Sequence, residues 1–132
     1  MTVHTYHMKN FMKCGICGWC LELIWTSLHS LSRRDYKLIG HSSIWMFPIY
    51  GMASFIRPLS QTLKHKNTAV RGLIYMNGIF SIEYLTGILL KKKDLCPWDY
   101  SDVPLNCHGV IRLDYAPVWF VTGLFFEKFL KP

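Results

Sequence analysis

The stretch Gly72 to Leu90, GLIYMNGIFSIEYLTGILL, decides how this chain folds. It has 19 residues, and Glu83 is the only one that carries a formal charge. A helix needs about 20 predominantly apolar residues to cross the hydrocarbon core of a bilayer. The stretch therefore predicts a membrane-spanning helix with one carboxylate inside it.

Three further stretches are typical of spans, with unequal strength. Leu38 to Ile56 has 19 residues without a formal charge, whereas residues 11–31 contain Glu22 at their centre. Residues 113–130 have charged residues near their ends, Glu127 among them, and such side chains can reach the membrane interface. The sequence thus predicts an all-α, polytopic membrane protein. It would be a single domain over residues 1–132, a four-helix transmembrane bundle with spans at about 11–31, 40–60, 70–90 and 113–130 and a structured loop between helices 3 and 4.

Composition favours lipid as the main partner of this chain. A mean hydropathy of +0.17 and 17% charged residues are compatible with a soluble helical domain. However, the two strongest stretches show no charged stripe at helical period, which a soluble bundle would need. The net charge of +7 comes from short basic groups at the predicted span boundaries. These groups fit anionic lipid headgroups better than nucleic acid.

The sequence leaves membrane orientation undetermined. With four spans, seven Lys and Arg residues fall on each side of the membrane. The positive-inside rule therefore does not choose between the two directions.

The cysteines do not predict a metal site. Cys14, Cys17 and Cys20 drift around a helix axis, and no nearby set of residues completes a closed zinc site, so they are interpreted as packing residues. Cys96 and Cys107 flank one polar loop and would pair in an oxidising compartment, or remain free thiols in a reducing one. The sequence does not identify a cofactor.

Glu22 and Glu83 are the strongest candidates for functional residues. An ionisable group at bilayer depth is costly unless it is paired or faces a polar cavity. The first and third spans run in the same direction, which places the two acids within about one helical turn of each other in depth, so they can share one site. The alternative is that both are hydrogen-bonded packing groups that only hold the bundle together.

The second span adds a predicted break and further polar candidates. Pro48, Gly51 and Pro58 in so short a helix predict a kink or an unwound section, which membranes tolerate only beside protein or a wet cavity. Tyr50 would line such a cavity. Arg57 is either the counter-ion of the acids or a residue of the interface.

The loop after the third span supplies the remaining candidates. Its prolines, acids and Asn106 favour a structured turn over a helix. Asp99 either forms a local turn with Ser101 or points towards Arg112. Asn106 is a candidate for the polar lining, and so is Tyr84 next to Glu83.

Together these residues resemble a known family. The motifs are Gly18-Trp19 with Glu22, Pro48 with Tyr50-Gly51, Glu83-Tyr84 with Gly87, Trp98-Asp99-Tyr100-Ser101, and Asn106 with Gly109. They are similar to those of the small membrane family labelled putative ABC-transporter type IV, or CmpB-type, which includes the vertebrate transmembrane protein 229 group. The resemblance implies a permease-like protein. These 132 residues contain no Walker loop for ATP, so a permease of this kind would need further copies or other membrane subunits.

Three classes of function remain open at this point. The first is a transport or ligand-binding component that binds a small cation, a proton or a polar solute at the carboxylates. The second is a membrane-embedded enzyme acting on a lipid head group, with the acids as general acid and base or as metal ligands. The third is a structural or assembly subunit. The absence of a nucleophile elbow and of an HExxH motif argues against the enzyme.

Overall fold

The computed structural model describes residues 2–131, and most of them are helical. The α-helices are α1 (Val3–Ser32), α2 (Met46–Gly51), α3 (Ile56–Thr62), α4 (Thr68–Lys92) and α5 (Ala116–Phe129). Short 3-10 segments cover Met52–Phe55 and Leu113–Tyr115, and strands β1 (Asn106–Cys107) and β2 (Ile111–Arg112) pair antiparallel. The predicted helical class is confirmed, with a small hairpin added. The chain forms two compact units, one up to Ser54 and one from Phe55.

Helix α4 matches the third predicted span. It is the one helix within residues 2–131 that is long and apolar enough to cross a membrane. Its first turn is capped by Asn67, whose Oδ1 accepts a hydrogen bond from the Val70 amide at 2.9 Å. Lys91 and Lys92 lie in the last turn, where cations interact favourably with the helix dipole.

Helix α1 begins earlier than the predicted first span. The Thr2 hydroxyl accepts a hydrogen bond from the Thr5 amide at 3.2 Å, so the helix starts at Val3. The polar residues before residue 11 therefore form the first turns of the same helix. The hydroxyl cap was the signal for this start, because threonine is a preferred N-cap residue.

The second predicted span differs most from the structure, because its first residues are not helical. Around Gly40 the chain lies against α1, where the Thr26 hydroxyl accepts from the His41 amide at 2.8 Å and Ser30 donates to the Ile39 carbonyl at 3.2 Å. A side chain on Gly40 would clash with the Leu23 carbonyl oxygen, so glycine permits this close approach. Helix begins only at Met46, and a 3-10 segment interrupts it where the proline and glycine pattern predicts a break.

The fourth predicted span is also shorter in the structure. Residues 113–115 form a 3-10 turn, and α5 has only 14 residues. At 1.5 Å per residue α5 is ~21 Å long, less than the ~30 Å of a hydrocarbon core. The arrangement with four spans therefore stays a prediction.

In the first unit, α1 and α2 pack through glycines that face aromatic rings. Gly15 lies against the Phe47 ring and Gly18 against the Tyr50 ring. In the opposite sense, Gly51 of α2 lies against the ring of Phe11 on α1. Gly15 and Gly18 therefore lie on the face of α1 that contacts α2.

The second unit repeats this packing between α4 and α5. Gly72 of α4 lies against the Phe120 ring, and Gly123 of α5 lies against the Tyr75 side chain. Tyr75 is almost completely buried, with 1% of its surface exposed. We call these pairs in both units the glycine–ring contacts.

Candidate functional site

Glu22 lies on the contact face of α1 and is half-buried. Its Oε2 accepts a hydrogen bond from the Tyr50 hydroxyl at 2.9 Å. The glycine–ring contact at Gly18 holds the Tyr50 ring against α1, so it also sets the position of this hydroxyl. Two of the predicted site residues, Glu22 and Tyr50, are therefore brought together.

Glu83 lies on α4 and accepts hydrogen bonds from two aromatic side chains. The Trp119 indole donates to Oε2 at 3.1 Å, and the Tyr100 hydroxyl lies 3.4 Å from Oε1. Trp119 comes from α5 and Tyr100 from the loop that follows α4. The carboxylate thus joins three parts of the second unit.

The aromatic partners of Glu83 form a cluster with Tyr115. Tyr115 is edge-on to Tyr100 at 6.0 Å between ring centroids and to Trp119 at 6.1 Å. Edge-to-face contacts at this separation stabilise aromatic pairs beyond their buried area. The cluster therefore fixes the two groups that donate to the carboxylate.

Arg112 lies beside this cluster and not with Asp99. Its guanidinium carbon is 4.1 Å from the Tyr115 ring centroid and 5.6 Å from that of Tyr100. The same guanidinium makes an ion pair with Asp114 at 2.7 Å. The carboxylate paired with Arg112 is therefore that of Asp114, and the alternative in which Asp99 points towards Arg112 stays a prediction.

Asp99 instead makes the local turn that was the alternative interpretation. Its Oδ1 accepts from the Ser101 amide at 3.0 Å and from the Ser101 hydroxyl. The hydroxyl bond, together with the amide bond, holds the pKa of the Asp99 carboxyl below its usual range. Asp99 is exposed and organises the loop.

Asn106 also organises the loop. Its side-chain amide donates to the carbonyls of Val103 at 2.6 Å and Ser101 at 3.3 Å, and its Oδ1 accepts from the Gly109 amide at 2.9 Å. Three bonds from one side chain close the turn that leads into the hairpin. The structure therefore supports a scaffold position for Asn106, and its predicted lining role stays untested.

Tyr84 bonds to the hairpin turn. Its hydroxyl lies 3.1 Å from Nδ1 of His108, a residue with a positive φ of 54°. Positive φ is uncommon for residues other than glycine. The next residue, Gly109, also has a positive φ. The pair of positive φ values matches a tight hairpin turn.

Arg57 lies near the start of α3 and is half-buried. Its Nε is buried and has no hydrogen-bond partner within residues 2–131. The proposal that Arg57 is a counter-ion of the acids stays a prediction. So does the expectation that Glu22 and Glu83 share one site.

A shallow cleft of about 170 Å³ opens in the loop after α4, lined by Lys91, Asp94, Cys96, Trp98, Asp99 and Gly109. The Lys91 ammonium donates to the His108 carbonyl at 3.0 Å across one end of it. Cys96 and Cys107 are both free thiols. Burial raises the pKa of the Cys96 thiol, which disfavours the reactive thiolate.

Sequence reasoning missed a third carboxylate, Glu127. It was interpreted as a span-end residue that reaches the interface, yet it is buried, with 8% of its surface exposed. The Arg71 guanidinium donates hydrogen bonds to the Glu127 carboxylate from Nε at 2.9 Å and from Nη2 at 3.2 Å. The Tyr75 hydroxyl donates to the same carboxylate. The available signal was that Arg71 and Tyr75 stand one turn apart on α4 and so share a face.

Within the described residues, no three His, Cys, Asp or Glu side chains come together in a way that could hold a metal ion. Glu22, Glu83 and Glu127 are each bonded to a tyrosine, tryptophan or arginine side chain. The site chemistry that the structure displays is that of carboxylates oriented by aromatic donors.

The sequence of this chain matches a known protein family over most of its length. The model of the family described as "Putative ABC-transporter type IV" matches residues 9–132. That range includes the carboxylates, their aromatic partners and the loop that contains Asp99. No solved structure gives a significant match to the chain.

Proposed function

The chain belongs to the putative ABC-transporter type IV family, and we propose that it is a multi-pass membrane component of a transport system that binds a proton or a small cation at intramembrane carboxylates. One observation carries the proposal: Glu83 lies inside α4, the helix fit to cross a membrane, with aromatic donors on both carboxylate oxygens. Ionisable groups at bilayer depth are rare, and they mark ion and proton pathways.

The donors around Glu83 are compatible with a carboxylate that is neutralised when it takes up a proton or a cation. A tyrosine hydroxyl and a tryptophan N–H orient a carboxylate without neutralising it, since both are uncharged. A proton or cation taken up at Glu83 would cancel its charge at that depth.

Glu22 offers the same chemistry in the first unit. Its carboxylate accepts from Tyr50 at 2.9 Å, again an uncharged aromatic donor. The two acids are therefore proposed as equivalent binding groups, each with its own aromatic donors.

The surface of α1 supports a multi-pass arrangement. Its exposed side chains include a series of large apolar residues: Met8, Met12, Ile16, Leu23, Ile24, Leu28 and Leu31. Large exposed apolar surfaces mark contact with lipid or with other proteins. With 30 residues, α1 is ~45 Å long, which exceeds the ~30 Å thickness of a hydrocarbon core. We propose that α1 and α4 both span the bilayer.

Transport driven by ATP would require a partner that carries the nucleotide site. The 132 residues contain no G-x-x-x-x-G-K-[ST] loop. The proposed role is therefore that of a membrane subunit that works with further copies or with other subunits.

The test is a thermal-unfolding scan of the purified protein in lipid nanodiscs, across pH and with a panel of small inorganic and organic cations. We expect protonation or one cation class to stabilise the wild type and to have a smaller effect on Glu83→Gln and Glu22→Gln. Glu127→Gln is the matched control, because it alters a buried carboxylate that an arginine already neutralises. It should lower the melting temperature and keep the ligand response.

A structural role in assembly is the second candidate. It is favoured by the fact that Glu22 and Glu83 are already hydrogen-bonded across helices or to the loop. In that case glutamine, which can accept the same bonds, would replace both acids without any change in the response to pH or cations. Identical scans for the wild type and the double variant would therefore reject the carboxylate site.

A further inference from the structure

The exposed side of α4 carries a polar amide in the middle of the proposed span. Asn77 and Ser81 are both exposed, and the flanking Leu73 and Leu85 are 50% and 67% exposed. Along the helix axis Asn77 lies ~14 Å from Thr68 and ~22 Å from the other end of α4. Lipid tails offer no hydrogen bonds at this depth, so an amide there favours contact with another polar helix surface.

Asn77 is only partly satisfied by its own helix. Its amide nitrogen donates to the Leu73 carbonyl at 2.9 Å. An asparagine amide has two donor hydrogens and a carbonyl oxygen with two acceptor positions. This bond therefore uses one donor and leaves the amide able both to donate and to accept.

Gly78, the next residue, is also unlike the other helical glycines of this chain. Among the described residues, a methyl group added at Gly78 would meet no atom within 4 Å other than those of its chain neighbours and of the adjacent α4 backbone. Each of the others faces a side chain of a neighbouring element: Gly15, Gly18, Gly51, Gly72, Gly87 and Gly123. A glycine inside a helix costs about 1 kcal/mol relative to alanine. Within residues 2–131, no contact at Gly78 offsets that cost.

These positions lie on one side of α4. At 100° per residue, Ser81 is ~40° and Gly78 ~100° around the helix from Asn77, with Leu85 between them at ~80°. Gly72, which packs on α5, lies at ~220°, opposite the middle of this range, and the buried Tyr75 lies at ~160°, just beyond its edge. The open glycine and the amide therefore belong to one continuous exposed face.

We propose that this face, Asn77, Gly78, Ser81 and Leu85, binds the same face of a second copy of the chain. An amide donates and accepts, so two copies of Asn77 can bond to each other across a two-fold axis. If that axis is normal to the bilayer, the two residues lie at equal depth. Gly78 then lets the helix backbones approach closely, as small residues do between membrane helices. The inference rests on the membrane position of α4 proposed above.

The test is energy transfer between donor-labelled and acceptor-labelled full-length chains in lipid vesicles, followed as lipid dilutes the protein. Wild type should show transfer that falls on dilution. Asn77→Leu should raise the dissociation constant of the dimer about tenfold, which corresponds to ~1.4 kcal/mol. Gly78→Leu should weaken the dimer at least as much without lowering the melting temperature, because its side chain enters open space.

Thr86→Val is the matched control for Asn77→Leu, since it removes a polar group ~180° around α4 from Asn77. Thr86 is half-buried and donates to the Ile82 carbonyl of its own helix at 2.6 Å. Its dimer should have the dissociation constant of the wild type. No transfer in the wild type, or equal transfer in all four proteins, would overturn the inference.

A second measurement separates this inference from the membrane position of α4. Asn77→Cys in intact vesicles is treated with a charged, water-soluble maleimide and compared with the unsubstituted protein. Additional labelling from water would refute the membrane position of α4 and with it the dimer face. Exclusion of the reagent, combined with no energy transfer, would refute the dimer face alone.

Discussion

Replacing Gly15 by alanine should loosen the contact between α1 and α2. The added methyl carbon would lie 2.8 Å from Cε2 of Phe47, whereas carbon atoms prefer a separation of ~3.5–4.0 Å. The ring must therefore move by roughly 1 Å. Phe47 cannot move freely, because its ring also packs on Trp19 at 4.8 Å and on Phe11 at 6.2 Å between centroids.

The size of this effect follows from a comparison with Gly78→Ala. Both changes replace a glycine in the interior of a long helix, so the gain in helix propensity of up to ~1 kcal/mol is common to them. The difference between the two variants is the cost of overpacking, ~1–3 kcal/mol. We expect Gly15→Ala to be less stable than Gly78→Ala by that amount.

The assay is unfolding by SDS in mixed micelles, followed by tryptophan fluorescence, at a detergent excess that keeps the chains monomeric. Equal free energies of unfolding for Gly15→Ala and Gly78→Ala would refute the reasoning. That result would mean that the Phe47 ring is not held against α1.

Three further predictions concern the site and the loop. Tyr50→Phe removes the donor to Glu22 and should lower the free energy of unfolding by about 1 kcal/mol, measured in the same micelles. Asn106→Ala removes three hydrogen bonds and should speed hydrogen exchange of the 96–110 loop, while amides of the helices stay protected. Because the pKa of Asp99 is lowered in the folded loop, its stabilising effect is complete well above the unfolded value of about 4 and is lost as pH falls through the folded value. The protection factors of the loop amides, which are exchange rates corrected for the slower intrinsic exchange at low pH, should therefore fall on acidification in the wild type, and Asp99→Asn should lack this step.

Local features of the sequence predicted the main helices well. The length and apolar character of Gly72 to Leu90 can be read directly from the sequence, so α4 could be placed without any tertiary information. The same local reasoning gave a wrong start for the second helix, because Leu38 to Ile56 is also long and uncharged but is helical only from Met46. It has no charge, but its backbone near Gly40 is held by hydroxyl groups of α1, and such bonds between distant residues leave no periodic pattern.

The candidate site was predictable only in part. Glu22 and Glu83 stand out because a charge interrupts an apolar run. Their donors do not, since Trp119 lies 36 residues after Glu83 and is one aromatic residue among many. Glu127 was misplaced because its partner Arg71 is 56 residues away. The environment of Glu127 is set by the packing of α5 on α4, and its position near the end of a predicted span did not indicate that environment.

The glycine–ring contacts also restrict how the helices of each unit can move. In both units the contacts run in both directions, from glycines of each helix to rings of the other. Sliding one helix along its partner would move each ring away from the glycine that makes room for it, towards residues that carry a Cβ atom. Piston motion within a unit is therefore blocked, and any cycle of opening and closing has to keep each helix pair together as a rigid block or separate it completely.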